Sequence, residues 1–323
     1  MNPKVSIIIP VYNGADYMRE AIDSALAQTY PNCEVIVVND GSNDDGKTDT
    51  IAREYGDKIT YFTKPNGGVA SALNVGIQKM KGEYFSWLSH DDVYHENKIE
   101  LQMRHLQQYS EPIIMYSDFE MIDANSRPCG VTRLPEVPAS QFIYYITVSA
   151  QVHGCTLLVP RVCFEKYGLF DETLKTTQDY DMWFRLAANY EVHHIHDVLV
   201  KSRSHAGQGS HSMKQIAMKE VDNLRAKQLL SLSEEVITGA TGVGPCISYA
   251  YMAKIFGLRG MPGAMSIALE LSEQKKDNLS VVQRLRLLFL TGIEIPAARL
   301  IYFLWIHVLY PFRLLRMRQH EKT

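Results

Sequence analysis

Residues 4–11 read KVSIIIPV, and residues 12–26 continue YNGADYMREAIDSAL. The first run is β-branched almost without interruption, the pattern of a strand buried on both faces in a parallel sheet. Met18, Ile22, Ala25 and Leu26 then recur at helical spacing, which predicts a helix with Asp16 as its N-cap and a stop at Thr29-Tyr30-Pro31-Asn32. A second buried run, EVIVV at 34–38, follows. The cycle repeats outward, with a helix over 48–55, a strand over 59–62, a helix over 70–80 and a strand over 84–88. Strands alternating with helices predict right-handed βαβ units and an α/β sheet covered on both faces.

After residue 112 the order loosens. IIMYSDF at 113–119 and TLLVP at 156–160 predict strands of a mixed sheet, and His193-His194-Ile195-His196 predicts a solvated edge strand. From Met213 the chain is helical and poor in strands, with breaks expected at 239–245, 260–263 and 292–296. The expected organisation is an α/β domain over 1–212 and a helical C-terminal region over 213–323.

The 323 residues carry a net charge of −3, with 46% hydrophobic and 21% charged residues. That balance excludes a disordered, collagen-like or polybasic chain, and with it nucleic acid as a partner. The five cysteines (Cys33, Cys129, Cys155, Cys163 and Cys246) are odd in number and form no C-x-x-C pair, which argues against a disulfide framework or zinc knuckle and for a reducing cytosol. Met1–Pro10 holds no apolar stretch long enough for a signal peptide.

In an open α/β sheet, ligands bind beyond the carboxyl ends of the strands. The turns there read Tyr12-Asn13-Gly14, Asn39-Asp40-Gly41-Ser42, Lys64-Pro65-Asn66-Gly67-Gly68 and Ser89-His90-Asp91-Asp92. Paired carboxylates after a buried strand are costly unless a cation or hydrogen bonds compensate them, which favours a hard-metal site for Mg²⁺ or Mn²⁺. The same pair also suits the N-cap of a helix over 96–109, and both readings stay open. RSHAGQGSHS at 203–212 has the composition of a loop that closes over a diphosphate. Gly41–Thr48 matches the nucleotide-triphosphate pattern G-x-x-x-x-G-K-[ST], although Asp44 and Asp45 would sit where backbone N–H groups must face phosphate. The first turn lacks G-x-G-x-x-G, so a dinucleotide site is not indicated.

Five segments in order, VSIIIPVYNGADYMREAIDSALAQTY (5–30), EVIVVNDGSND (34–44), NGGVASALNVGI (66–77), SHDD (89–92) and QDYDMWFRL (178–186), resemble the family 2 glycosyltransferases of the GT-A fold. The resemblance covers about residues 5–211. It implies transfer of a sugar from a nucleotide diphosphate donor, commonly UDP or dTDP, with inversion at the anomeric carbon. It also implies donor contacts from Pro10, Val11, Tyr12, Asn13, Asp40, Asn66, Gly67 and Asp91, a metal held by Asp92 with His205, and Asp179 as the base. Gln178 and Arg203 would serve the acceptor or the diphosphate. Three positions depart from the family pattern, with Ser89 opening the DxD motif, Gln178 preceding the base in place of Glu, and Leu73 replacing a basic residue. Without the resemblance, Asp179 reads equally as a helix cap. A non-catalytic sugar-nucleotide-binding module would not require it. The acceptor implied is a growing surface polysaccharide or a lipid-linked glycan.

In the tail, Leu300–Tyr310 is apolar around the helix and shorter than a span, with Tyr302, Trp305 and Tyr310 as interfacial aromatics and Arg299, Arg313, Arg316 and Arg318 around it. Two expectations follow. The helix lies in an anionic bilayer surface at the cytoplasmic face of the cell membrane, or it packs on protein, either the catalytic domain or a second copy in a homodimer.

Overall fold

A computed structural model describes residues 2–149, 152–208, 213–277 and 279–304. Ser210, His211, Trp305, Tyr310, Arg313, Arg316 and Arg318 lie outside the described residues. The β-branched run forms β1 (Val5–Val11), buried at every position, and the next three runs form β2 (Cys33–Asn39), β3 (Thr60–Thr63) and β4 (Tyr84–Trp87). These four are parallel, β1 sitting between β2 and β4 with Ile8 opposite Ile36 and Trp87. A short β8 (Val159–Pro160) adds antiparallel to β4, giving the order β3-β2-β1-β4-β8.

The crossovers are α1 (Met18–Leu26), α2 (Lys47–Glu54) and α3 (Val69–Lys79). Gly76 lets α3 lie close on β1, since a Cβ there would fall 2.4 Å from a methyl of Ile8. Asp16 does not cap α1. Tyr17 holds the N-cap position without a side-chain bond, and Gly14 O accepts the N–H groups of Tyr17 and Met18 instead.

The second sheet has the order β5-β9-β6-β7, built from β5 (Val93–Tyr94), β6 (Ile114–Ile122), β7 (Pro128–Thr132) and β9 (Val192–Arg203). The helices α4 (Lys98–Leu106), α5 (Phe142–Val148), α6 (Arg161–Tyr167) and α7 (Gln178–Ala187) fall between these strands along the chain. β9 has β6 along one side and the two-residue β5 beside Val200 and Lys201 only, so its histidine run lies at an edge as expected, but that edge is not solvated throughout. The His194 side chain is 3% exposed, stacks on Tyr116 at 4.7 Å and bonds the buried Asp118 carboxylate at 2.8 Å. β9 runs antiparallel to β5 with Val93 opposite Lys201, which carries its last residues to the Asp91-Asp92 turn.

Two compact units result, one of residues 1–142 with 150–217, the other of 143–149 with 218–323. The second contains α9 (Glu234–Thr241), α10 (Pro245–Leu258), α11 (Pro262–Gln274), α12 (Val281–Phe289) and α13 (Ile295–Leu304), and α8 (Lys214–Ser231) leads into it. Gly242 ends α9 in the left-handed region (φ 69°), and Pro245 and Pro262 occupy first turns, where their missing N–H leaves no bond unmade. The break expected at 292–296 does not occur. One π-helical turn, Leu290–Glu294, joins α12 to α13 and accommodates Pro296, so a continuous helix of 24 residues runs from Val281 to Leu304. By length and composition it can cross a bilayer, which the sequence pattern does not suggest.

Candidate active site

The four turns predicted at strand ends meet at one end of the first sheet. Gly14 makes the closest junction: a Cβ there would lie 2.7 Å from the His90 ring, so only glycine lets the turn after β1 touch the turn after β4. Asn13, in the left-handed region (φ 49°), pairs reciprocally with Asn43, and Tyr12, exposed, reaches the same Asn43 oxygen at 3.3 Å. Pro10 and Val11 are buried behind them.

Asp40 is 3% exposed, and its carboxylate accepts from Lys64 Nζ at 2.6 Å and from the N–H groups of Gly67 and Gly68 at 3.0 and 2.7 Å. Asn66 Nδ2 donates to the Asp40 carbonyl at 2.9 Å. A loop whose peptide groups converge on one buried anion is a fixed, charged wall. The strand-end turn pattern contains Lys64 but does not give it a partner. The residue follows β3 directly, and only the pairing of β2 with β3, which sets Asn39 opposite Thr63, brings it to Asp40.

The neighbouring carboxylates Asp91 and Asp92 have opposite surroundings. Asp92 turns inward, 3% exposed, accepting the Arg203 N–H at 2.9 Å and the Cys155 thiol at 3.3 Å, with His153 Nε2 at 3.6 Å. Burial, with the Asp91 charge beside it, pushes its carboxyl up to about 7. Asp91 is the partly exposed one, its oxygen 3.1 Å from His205 Nε2, and the His205 ring leans on Tyr17 at 4.8 Å. His205 thus reaches the Asp91-Asp92 turn. The geometry pairs it with Asp91, whereas the inward Asp92 braces the turn.

Arg203 is fully buried as the last residue of β9, ahead of the glycine-rich stretch. Its guanidinium donates to the Asp91 carbonyl at 2.7 Å, Ser126 Oγ at 2.7 Å and Glu20 at 2.9 Å, and lies over the Tyr17 ring at 4.5 Å. These contacts clamp the Asp91-Asp92 turn from behind.

Asp179 occupies the first turn of α7, partly exposed, after Thr177 at the N-cap position. Gln178 beside it is buried, and its side-chain oxygen has no hydrogen-bond partner among the described residues. His153 connects the two acidic groups. Burial holds its imidazole below the ordinary range while Asp179 and Asp91 both pull the other way, and its Nε2 is 3.0 Å from Ser202 Oγ. The sequence signal for His153 is weak: only Gly154, where a Cβ would strike the Trp87 ring at 2.5 Å, marks the segment as one packed under β4. Leu73 is buried in α3 as core.

The Gly41–Thr48 segment is not a phosphate loop. The Asp44 carboxylate accepts from Thr48 N at 3.1 Å and Thr48 Oγ1 at 2.6 Å, occupying the anion position at the start of α2, and Lys47 is exposed. Asp92, His153 and Cys155 bring three ligand-type atoms together, and Asp118, His194 and His196 form a second such group. There the Asp118 carboxylate is already held by Arg133 at 2.9 Å and the Leu134 N–H at 2.9 Å.

Comparison with known proteins adds an independent line. The profile of Glycosyl transferase family 2 matches residues 6–128. An uncharacterized glycosyltransferase of Rickettsia prowazekii is 49% identical over 247 residues, covering 74% of this chain and 77% of the relative. One from Rickettsia typhi is 54% identical over 211 residues, 64% of this chain and 66% of the relative. Chondroitin synthase of Pasteurella multocida is 30% identical over 199 residues, 61% of this chain but 20% of that much longer protein. Among solved structures, TarS 1–349 of S. aureus in complex with UDP-GlcNAc aligns with TM-score 0.64 at 19% identity, over 94% of this chain and 91% of that one. A mannosyltransferase of Pyrobaculum calidifontis in complex with GDP-Man and Mn²⁺ aligns with TM-score 0.57 at 17% identity, over 95% and 86%. These likenesses establish a GT-A-type α/β fold.

Proposed function

The chain belongs to glycosyl transferase family 2, and from that premise we propose that it moves a sugar, with inversion, from a nucleotide diphosphate donor to a hydroxyl of a glycan. The observation that carries this reading is the meeting of Asp91 with His205 at the mouth of the strand-end turns, in the same unit as the Asp40 wall and Asp179. The nucleotide lies along Pro10–Asn13 and Asp40, with Asn66 and Gly67 closing its edge.

Asp91 and His205 are the residues that would hold a divalent cation. One carboxylate oxygen and one imidazole nitrogen 3.1 Å apart, both at a partly exposed mouth, fit Mn²⁺, whereas Mg²⁺ prefers oxygen ligands throughout. When bound, such a cation neutralises charge developing on the leaving diphosphate.

Asp179 accepts the proton of the attacking hydroxyl. Its place in the first turn of α7 suits a carboxylate, because the helix N-terminus favours a negative charge. The half-buried His153, its imidazole held below the ordinary range, sits near both Asp179 and Asp91 without adding a competing positive charge. Support for a polysaccharide or lipid-linked acceptor is the likeness to chondroitin synthase, and for a UDP-sugar donor the likeness to TarS. The enzyme works at the inner face of the cell membrane.

A thermal-shift panel of UDP, dTDP and GDP and their sugars, with and without Mn²⁺, tests this, because a ligand that binds only the folded state raises its melting temperature. The expected result is a Mn²⁺-dependent shift with one nucleotide, lost in Asp91→Asn. No shift with any nucleotide, or Mn²⁺ dependence that survives Asp91→Asn, overturns the assignment.

A further inference from the structure

The helix from Val281 to Leu304 has two apolar faces. On one, Leu287, Leu290, Ile295 and Ala298 are buried, Leu287 and Leu290 in a core with Cys246, Ile247 and Ala250 of α10. On the other, Val281, Val282, Leu285, Leu288 and Phe289 are exposed, Val281 by 74% and Leu288 by 67%. At about 3.6 residues per turn these five fall on one side of α12, and Arg284 and Arg286 fall at its two margins. The exposed strip continues past the π-helical turn through Leu300, Ile301, Phe303 and Leu304, beside the exposed Arg299. Glu294 is the one acidic side chain in 281–304, and it is paired with Lys254 at 2.5 Å.

We propose that this face is a binding site for anionic phospholipid, on which the helix lies parallel to the bilayer plane with its exposed leucines in the acyl boundary and Arg284, Arg286 and Arg299 among the headgroups. This gives the proposed membrane location a surface and a lipid class. It depends on no step of the transfer chemistry.

Two observations select this occupant. A spanning orientation would strip Leu287, Leu290, Ile295 and Ala298 from the core they complete, so the helix cannot leave the surface of its own unit. A second copy docked by two-fold symmetry would set one arginine-margined strip against another, with no free carboxylate within 281–304 to receive the guanidinium groups. An anionic bilayer satisfies both the apolar strip and its basic margins.

The test is flotation of the full-length protein with phosphatidylcholine vesicles, with and without phosphatidylglycerol, in low and high salt. Binding is expected only where phosphatidylglycerol is present, weakening as salt rises. Leu285→Gln with Leu288→Gln should lower the vesicle affinity at least about tenfold, since each exposed leucine contributes by its buried area. Donor-induced thermal shifts should stay unchanged, which separates failure here from failure of the proposed activity. Absence of binding by the parent protein overturns the proposal. So does a double variant that binds vesicles normally but turns a dimer into a monomer in light scattering, because the face then belongs to a second copy.

Discussion

At the carboxyl ends of the first sheet, charged side chains are buried; along α12 and α13, large apolar side chains are exposed. Both depart from the usual partition of residues, and such departures carry more information than any exposed lysine or buried valine. They differ in compensation. Asp40 has Lys64 and two peptide N–H groups, and Arg203 has Glu20, Ser126 and the Asp91 carbonyl, so the chain itself neutralises each charge. Leu285 and Leu288 stay 63% and 67% exposed. A compensated polar cluster shapes a site before its ligand arrives, whereas an uncompensated apolar strip is completed by what binds it.

The contrast breaks most visibly if the polar end is not chemically active. Asp179→Asn should lower kcat by about 10²–10⁴-fold with donor affinity unchanged, as base catalysis acts on the acceptor alone; single-turnover rates beside calorimetric donor titration measure both. Retained turnover would place the base elsewhere.

A smaller effect probes the clamp. Arg203→Met leaves Glu20 and the Asp91 carbonyl without their buried partner and should destabilise the catalytic unit by about 3 kcal/mol in urea unfolding. A surface-like change of a few tenths would mean that the Asp91-Asp92 turn holds its shape alone.

The smallest effect separates buried charge that serves the site from buried charge that does not. Lys98 is fully buried, bonded to Ser86 and Gln102, and its burial lowers its pKa to about 7. The unfolded chain keeps this lysine protonated up to about pH 10, so it binds more protons than the folded state between about 7 and 10, and stability rises with pH across that window. Lys98→Met removes the titration. Its melting temperature should exceed the parent's by a few degrees at pH 6, and the gap should shrink as pH climbs toward 10. A gap that is constant or widens with pH would show that Lys98 is not titrating in the fold.

The candidate site was legible to different depths. The places of Asp40, Asp91 and His205 beyond strand ends were readable because strand-end turns and a glycine-rich loop have local patterns, while the roles given to them are proposals. The partners of His153 and Lys64 were not readable, since each reaches the site through pairing or packing with segments distant in the chain. The burial of Asp92 and Arg203 was not legible, because which of two adjacent carboxylates turns inward depends on the strand that lies against them.

The alternation of strands and helices, the buried β1 run, the order of the polar turns and the apolar character of the tail are all legible in the residues alone. All follow from local periodicity and local backbone preference. The register of β5 with β9 decided which end of β9 meets the Asp91-Asp92 turn, and the Tyr116 ring with the Asp118 carboxylate buried His194 in a run that reads as solvated. The π-helical turn at Leu290–Glu294 decided that Gly292 and Pro296 extend a helix instead of ending it. In each case a short-range preference worth a few kcal/mol at most was overridden by partners from other parts of the chain, and neither the choice of partner nor the face it covers is encoded in the local pattern.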